Sequence, residues 1–424
     1  MTRSTRLPGT TTDSSDPIIC HVDMDCFYAA CERLREPALR GEPLVIGMGY
    51  EPGETHGAVA TASYEAREFG VESAMAISEA LERLPRKIDV AGTDHSIDEA
   101  GFYRSVDLEF YESVAEEVKD CLHERAETVR EVSIDEAYLD VTDRTDWQCV
   151  ESFARGLKDD ITAAVGVTAS IGVAPTMGAA KVASDHDKPD GLVVVEPGDV
   201  ASFLAPLDVE DVHGVGPVTA RELHKLGIET AGDLAAADAN VLEARFGERG
   251  LRVHRFARGE DDRPVEPRGR PKSFSRESAF TTATTDSERQ RERLRMLAQA
   301  VTERARGRNV LYQTIGIKVV TPPFDVHTRA RSLSGPVEDS DLVETVALEL
   351  FEEFEDESIR KLGVRVSNLS FTAEQQPTLD VWESHGGDES RPDTATENES
   401  VDDRPRNTSP DTTGDGQRSL REFE

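Results

Sequence analysis

The run Ile18-Ile19-Cys20-His21-Val22-Asp23-Met24 reads as a β-strand with a carboxylate set among residues that belong in a core. Burying that carboxylate is costly unless a cation, a metal or hydrogen-bond donors meet it. Asp25 follows, and on a continued strand it would share a face with Asp23. Phe27 and Tyr28 come next. Alone, this is equally an acidic strand end beside core aromatics. Two further acids decide more. The sequence Ser-Ile-Asp-Glu-Ala occurs twice, at 96–100 and at 133–137. Gly92, Thr93, Asp94 and His95 precede the first copy, which marks loop or surface. Val129 to Val141 flank the second with strand-forming residues, so Glu127–Thr142 reads as a hairpin with an acidic turn. Asp135 and Glu136 can face one site only because the chain turns there. With Asp23 they give three carboxylates at neighbouring strand ends, a donor set suited to Mg²⁺ and substrate phosphates. Two such ions suit nucleotidyl transfer.

Around this site the pattern is α+β. Further strands are expected at Leu44–Gly47, Ala58–Ala62, Thr168–Val173 and Leu192–Val195, completing a mixed sheet, with helices at Leu108–Leu122 and Val150–Val165. The domain reading is a disordered arm at 1–16, an α+β domain at 17–200, a helical module at 201–265, a second α+β domain at 270–372 and a disordered acidic tail at 373–424. In the second α+β domain, strands are expected near Ser273–Thr282, Gln313–Val320 and Val364–Phe371, with helices at Ser287–Arg306 and Ser340–Glu355. The five cysteines form no CxxC pair and read as reduced thiols of a cytoplasmic protein. The N-terminus lacks the apolar run of a signal peptide, and no segment reaches membrane-spanning length.

The chain carries 83 Asp+Glu against 48 Lys+Arg, a net charge of −35, and only 9 of its basic residues are lysines. At about 1 M salt the Debye length is about 3 Å and such self-repulsion is largely screened, so a salt-loving host is expected. The acidity argues against nucleic-acid binding unless local features supply it. One is Gly214-Val215-Gly216 before a helix, where bare backbone can approach a phosphate. Another is the segment 268–372, whose 17 Lys+Arg and 16 Asp+Glu make it the least acidic part.

Val22-Asp23-Met24-Asp25-Cys26-Phe27-Tyr28 together with Ser133-Ile134-Asp135-Glu136-Ala137-Tyr138-Leu139-Asp140 resembles the Y family of translesion DNA polymerases, in its DinB branch. Ala58–Gly70 resembles its finger segment, and Ser170–Ala174 with Lys188-Pro189-Asp190-Gly191 the end of its palm. The resemblance covers roughly 17–372. It implies a multidomain right-hand fold with βαβ palm, fingers, a small thumb with a helix-hairpin-helix, and an α+β little finger. It also implies two Mg²⁺ ions on Asp23, Asp135, Glu136 and the Met24 carbonyl. Phe27, Thr61, Tyr64, Arg67 and Lys188 would contact the dNTP, and Tyr28 would exclude a ribose 2′-hydroxyl. Gly214 and Gly216 would contact primer-template DNA. Against the family pattern, Thr93–Val106 reads as an insertion, so the first Ser-Ile-Asp-Glu-Ala is expected to be decoration. At the end of the chain, Gln417, Leu420 and Phe423 resemble a sliding-clamp-binding peptide. The expected protein is a monomer that adds dNMP to a primer 3′-hydroxyl across from damaged bases. A palm-type nucleotidyl cyclase is the rival enzyme, disfavoured by the template grip. A DNA-binding relative with an inactive palm is the other rival, disfavoured by the intact acids.

Overall fold

β1 (Ile19–Met24) is buried along its whole length and lies in the middle of a five-stranded sheet in the computed structural model, which describes residues 16–90 and 96–371. The strand stops at Met24, and Cys26 takes the left-handed conformation (φ 44°) that starts α1 (Phe27–Arg35). β2 (Leu44–Met48), β3 (Ala58–Ala62), α2 (Tyr64–Arg67), α3 (Ile77–Arg83), α4 (Lys87–Val90) and β4 (Phe102–Ser105) follow. α5 (Leu108–Arg125) leads into the hairpin of β5 (Thr128–Glu131) and β6 (Glu136–Asp140). Then come α6 (Val150–Ala164), β7 (Ala169–Ala174), α7 (Met177–His186) and β8 (Leu192–Val194).

The order in the sheet is β5-β6-β1-β7-β8, with β1 antiparallel to both neighbours and β7 parallel to β8. Strand alternation divides β1 cleanly. Cys20, Val22 and Met24 pack with buried residues of α1, α5 and α6, among them Phe27, Tyr111 and Leu157. Ile19 packs with Ala179, Ala180 and Ala183 of α7, which places His21 and Asp23 on that side too. Gly172 is what lets α7 lie so close, because a Cβ there would overlap the backbone of Ala180 and Ser184.

The sequence reading put Leu44–Gly47 and Ala58–Ala62 into the same sheet. They form a separate one, ordered β3-β2-β4, because the partner of β2 on its other edge is Phe102–Ser105, a strand the sequence reading passed over as part of an insertion. After β8, the helices α8 (Val200–Leu204), α9 (Pro217–His224), α10 (Ala231–Ala236), α11 (Ala239–Phe246) and α12 (Glu248–Ala257) share a core built on Leu204, Leu223, Leu234, Leu242 and Val253.

The described residues up to Gly269 make one compact unit and those from Arg270 another. The second unit is a four-stranded antiparallel sheet ordered β11-β10-β12-β9, from β9 (Ser273–Thr284), β10 (Val310–Thr321), β11 (Asp325–Val337) and β12 (Ile359–Phe371). α13 (Ser287–Arg306) and α14 (Ser340–Phe351) cover one face, burying Leu294, Leu297, Val346 and Phe351 against Ile315, Ile317, Leu362 and Val364. β11 was absent from the sequence reading. No helix among the described residues is long and apolar enough to cross a membrane.

Candidate active site

The register of β1 on β6 places Asp23 directly opposite Glu136. The hairpin turn ends at Asp135, whose carbonyl accepts the Met24 amide at 2.9 Å. Asp23, Asp135 and Glu136 are therefore neighbours through the backbone alone. Their carboxylates are treated differently. Asp23 is 6% exposed and stands beside Glu136, while the Asp135 carboxylate accepts from the Ser133 hydroxyl at 2.6 Å. Among the described residues, no three His, Cys, Asp or Glu side chains are grouped so as to hold a metal ion.

Two acids this close and this little exposed need positive charge, and α7 and the segment after it deliver it. Lys181 Nζ donates to Asp23 Oδ2 at 2.8 Å and to Glu136 Oε1 at 3.0 Å. Lys188 Nζ lies 2.7 Å from Asp23 Oδ1. Asp185, one turn beyond Lys181, meets both lysines at 3.1 and 2.8 Å. The result is an alternating chain of charges, Glu136–Lys181–Asp23–Lys188–Asp185. Burial alone would raise the Asp23 carboxyl, but the two ammonium groups outweigh it and hold it well below the usual carboxylate range. Glu136 moves the other way, because burial and the adjacent Asp23 charge exceed the pull of Lys181. Burial would lower Lys181, but Asp23, Glu136 and Asp185 raise it, so it stays charged. The oxygens of Asp23 and Glu136 fit a hard divalent cation, since they already demand a cation and offer only carboxylate donors, while the Asp135 carboxylate adjoins them through the backbone and is held by Ser133.

Asp25 leaves the face of Asp23, because the strand has ended. It accepts from Ser170 Oγ at 2.9 Å, Tyr64 Oη at 3.2 Å and the Asp190 amide at 2.8 Å, and burial raises its carboxyl. It is a structural joint between β7, α2 and the segment after α7. Tyr64 and Arg67 stand together on α2, the guanidinium 4.9 Å from the ring centroid, and Arg67 Nε donates to the Ala62 carbonyl at 3.1 Å. Thr61 lies just before them on β3. Tyr28 is half-buried at the start of α1, stacked on Tyr111. Phe27 is 2% exposed with its ring in the core, so any contact with a nucleotide would come from its backbone.

Gly214 has φ 87°, a backbone suited to glycine, and its carbonyl accepts from Arg249 at 3.1 Å. Gly216 caps α9 with nothing within 4 Å of where a Cβ would stand. The first Ser-Ile-Asp-Glu-Ala forms one exposed 3-10 turn, Ile97–Glu99, with Ile97 56% exposed. In the second copy Ile134 packs on the core. Thr93, Gln417, Leu420 and Phe423 lie outside the described residues.

Sequence reasoning missed Lys181 and Asp185. In its own stretch, Gly178-Ala179-Ala180-Lys181-Val182-Ala183, the lysine stands among small residues, which says nothing of a partner elsewhere in the chain.

Residues 22–185 match the model of the impB/mucB/samB family, residues 197–228 its helix-hairpin-helix motif and residues 271–380 its C-terminal domain. A DNA polymerase IV from Halobacterium salinarum is 60% identical over 374 residues, 88% of this chain and 90% of the relative. The chain belongs to the Y family of DNA polymerases. A DNA polymerase IV from Methanoculleus marisnigri, also similar, is 40% identical over 86% of this chain and 98% of its own. Among solved Y-family structures, a polymerase chimera aligns with a TM-score of 0.72 at 29% identity, covering 83% of this chain and 98% of its own. DinB from Sulfolobus solfataricus aligns with a TM-score of 0.55 at 28% identity, over 82% and 98%. In this Y-family chain the main matched region contains Asp23, Asp135 and Glu136, and also Lys181 and Asp185.

Proposed function

We propose that this Y-family protein is a low-fidelity, template-directed DNA polymerase that copies past damaged bases. The primer 3′-oxygen attacks the α-phosphorus of a dNTP and pyrophosphate leaves. The observation that carries the reading is the pairing of Asp23 with Glu136 across β1 and β6, with Asp135 one residue away. Asp23, Asp135, Glu136 and the Met24 carbonyl would hold two Mg²⁺ ions, which supply Lewis-acid stabilisation of the attacking and leaving oxygens when bound.

The chain's own side chains do the rest. Arg67 offers planar paired donors to the triphosphate, and Lys188 a compact charge. Thr61 and Tyr64 line the same approach, and Tyr64 is steadied by Asp25. The Tyr28 ring occupies the space a ribose 2′-hydroxyl would need. Gly214 and Gly216 bring bare backbone to a DNA phosphate, and the residues from 270 to 372 form the little finger that grips the duplex. The helices between 201 and 265 form the thumb. A C-terminal peptide with Gln417, Leu420 and Phe423 tethers the enzyme to a sliding clamp. Its acidity supports work in a salt-rich cytoplasm.

Primer extension in molar KCl with Mg²⁺ and dNTPs tests the reading. Asp135→Ala/Glu136→Ala should abolish extension, and Asp98→Ala/Glu99→Ala should leave it intact. Extension that survives the first pair of changes would refute the assignment of the site. Lesion-containing templates test bypass, and equal clamp affinity after Leu420→Ala/Phe423→Ala would remove the tether.

A further inference from the structure

Tyr28 sits in the first turn of α1, two residues after the left-handed Cys26, where a helix is least constrained by its own hydrogen bonds. Something outside the helix must fix the ring. Tyr111 of α5 lies against it, with ring centroids 4.6 Å apart and planes inclined by only 22°. Tyr111 is itself fully buried. Its hydroxyl donates to Glu32 Oε1 at 2.8 Å, and Glu32 is 4% exposed. Glu32 is on α1, four residues after Tyr28, hence on the same face one turn along. The phenol of Tyr111 therefore spans one turn of α1, with its ring on Tyr28 and its hydroxyl on Glu32. Arg35, 3.8 Å from Glu32, keeps a positive charge near that carboxylate. The contact is made twice, so Tyr111 can neither slide along α1 nor rotate away from Tyr28.

We propose that Tyr111, anchored by Glu32, is a positioning residue for sugar selection: it backs the Tyr28 ring and so sets how strongly ribonucleoside triphosphates are rejected. This rests on the reading of Tyr28 as the group that excludes the 2′-hydroxyl. Losing that backing lets the ring tilt away from an incoming ribose more easily, while a deoxyribose asks for no such tilt. Loss of Tyr111 should therefore raise ribonucleotide incorporation far more than it lowers deoxynucleotide incorporation. A merely structural role would lower both together.

Single-nucleotide insertion gives kcat/KM for a dNTP and the matching rNTP in wild type, Tyr28→Ala, Tyr111→Leu, Tyr111→Phe, Glu32→Gln and Tyr28→Ala/Tyr111→Leu. Selectivity should collapse in Tyr28→Ala. It should fall by roughly five- to tenfold in Tyr111→Leu, the order expected for one lost aromatic stack. It should fall less in Tyr111→Phe and Glu32→Gln, which keep the stack and loosen the anchor. The double variant should be no less selective than Tyr28→Ala, because the backing acts only through that ring. Collapse in Tyr28→Ala with full selectivity in Tyr111→Leu would overturn the backing role alone. Unchanged selectivity in Tyr28→Ala would overturn the gate reading beneath it. Should Tyr111→Leu fail to fold, Tyr111→Phe and Glu32→Gln decide: full selectivity in both overturns the proposal.

Discussion

Replacing Lys181 with methionine keeps most of the side-chain volume and removes the charge between Asp23 and Glu136. The ammonium lies 2.8 and 3.0 Å from the two carboxylates, and the side chain is 15% exposed. At an effective dielectric of about 20 each contact is worth roughly 5 kcal/mol gross, most of it offset by desolvation. Removing one partner of a buried pair costs about 3–5 kcal/mol, because the other charge is left uncompensated. Lys188 still serves Asp23, so the lower end, about 3 kcal/mol, is expected for the metal-free protein. For a unit of this size that is a fall in Tm of about 6–12 °C. A divalent ion at the same oxygens supplies the missing charge, so the loss should shrink below about 1 kcal/mol in millimolar Mg²⁺. The assay is thermal unfolding of wild type and Lys181→Met at fixed KCl, in EDTA and in MgCl₂, with Mn²⁺ affinity read by electron paramagnetic resonance. The variant should bind Mn²⁺ more tightly. An equal loss of Tm in both buffers with unchanged or weaker Mn²⁺ affinity would refute the reasoning, and so would an unaltered Tm in EDTA.

Three other changes probe different parts of the fold. Burial, aided by Arg263, lowers His213 to about 4, so between that value and the ordinary value near 6.5 the unfolded chain binds the extra proton. Stability is then complete above about pH 6.5 and is lost as pH falls toward 4, by about 3 kcal/mol from this residue; melts from pH 7.5 to 4.5 should show the slope, and His213→Gln should make it shallower, the buried His21, also held below its ordinary value, supplying a further part. Gly172→Ala forces a methyl into the backbone of Ala180 and Ser184, so α7 must leave β7 and take Lys181 with it; a loss of at least about 3 kcal/mol in denaturant unfolding is expected. Gly216→Ala meets empty space, so stability should fall by no more than about 1 kcal/mol, the worth of an N-cap change. DNA affinity by fluorescence anisotropy should nonetheless weaken several-fold, and unchanged affinity would mean that no phosphate approaches that backbone.

The two Ser-Ile-Asp-Glu-Ala copies show what local sequence carries and where it stops. The five residues are identical, yet one copy is an exposed turn and the other closes a hairpin on the core. Their flanks made the difference legible, because Val, Tyr and Leu on both sides favour a sheet and Gly, Asp and His do not. β11 failed for the opposite reason. Its residues Asp325–Val337 are half or fully exposed at the edge of the sheet, so no buried face repeats every second residue, and pairing with β10 alone makes it a strand. The side chains that complete the site were hidden more deeply. Lys181 and Asp23 are 158 residues apart, and Tyr111 and Glu32 are 79. Each looks ordinary in its own helix, where a lysine amid alanines and a tyrosine at a helix start both read as packing. Their roles arise only when the small residues of α7 let that helix settle on β7, and when α5 covers α1 on the opposite side of the sheet. A carboxylate in a strand can be flagged from its own neighbours because its burial is costly; the group that relieves the cost has no such mark, since a lysine is at home anywhere on a surface until the fold takes the surface away.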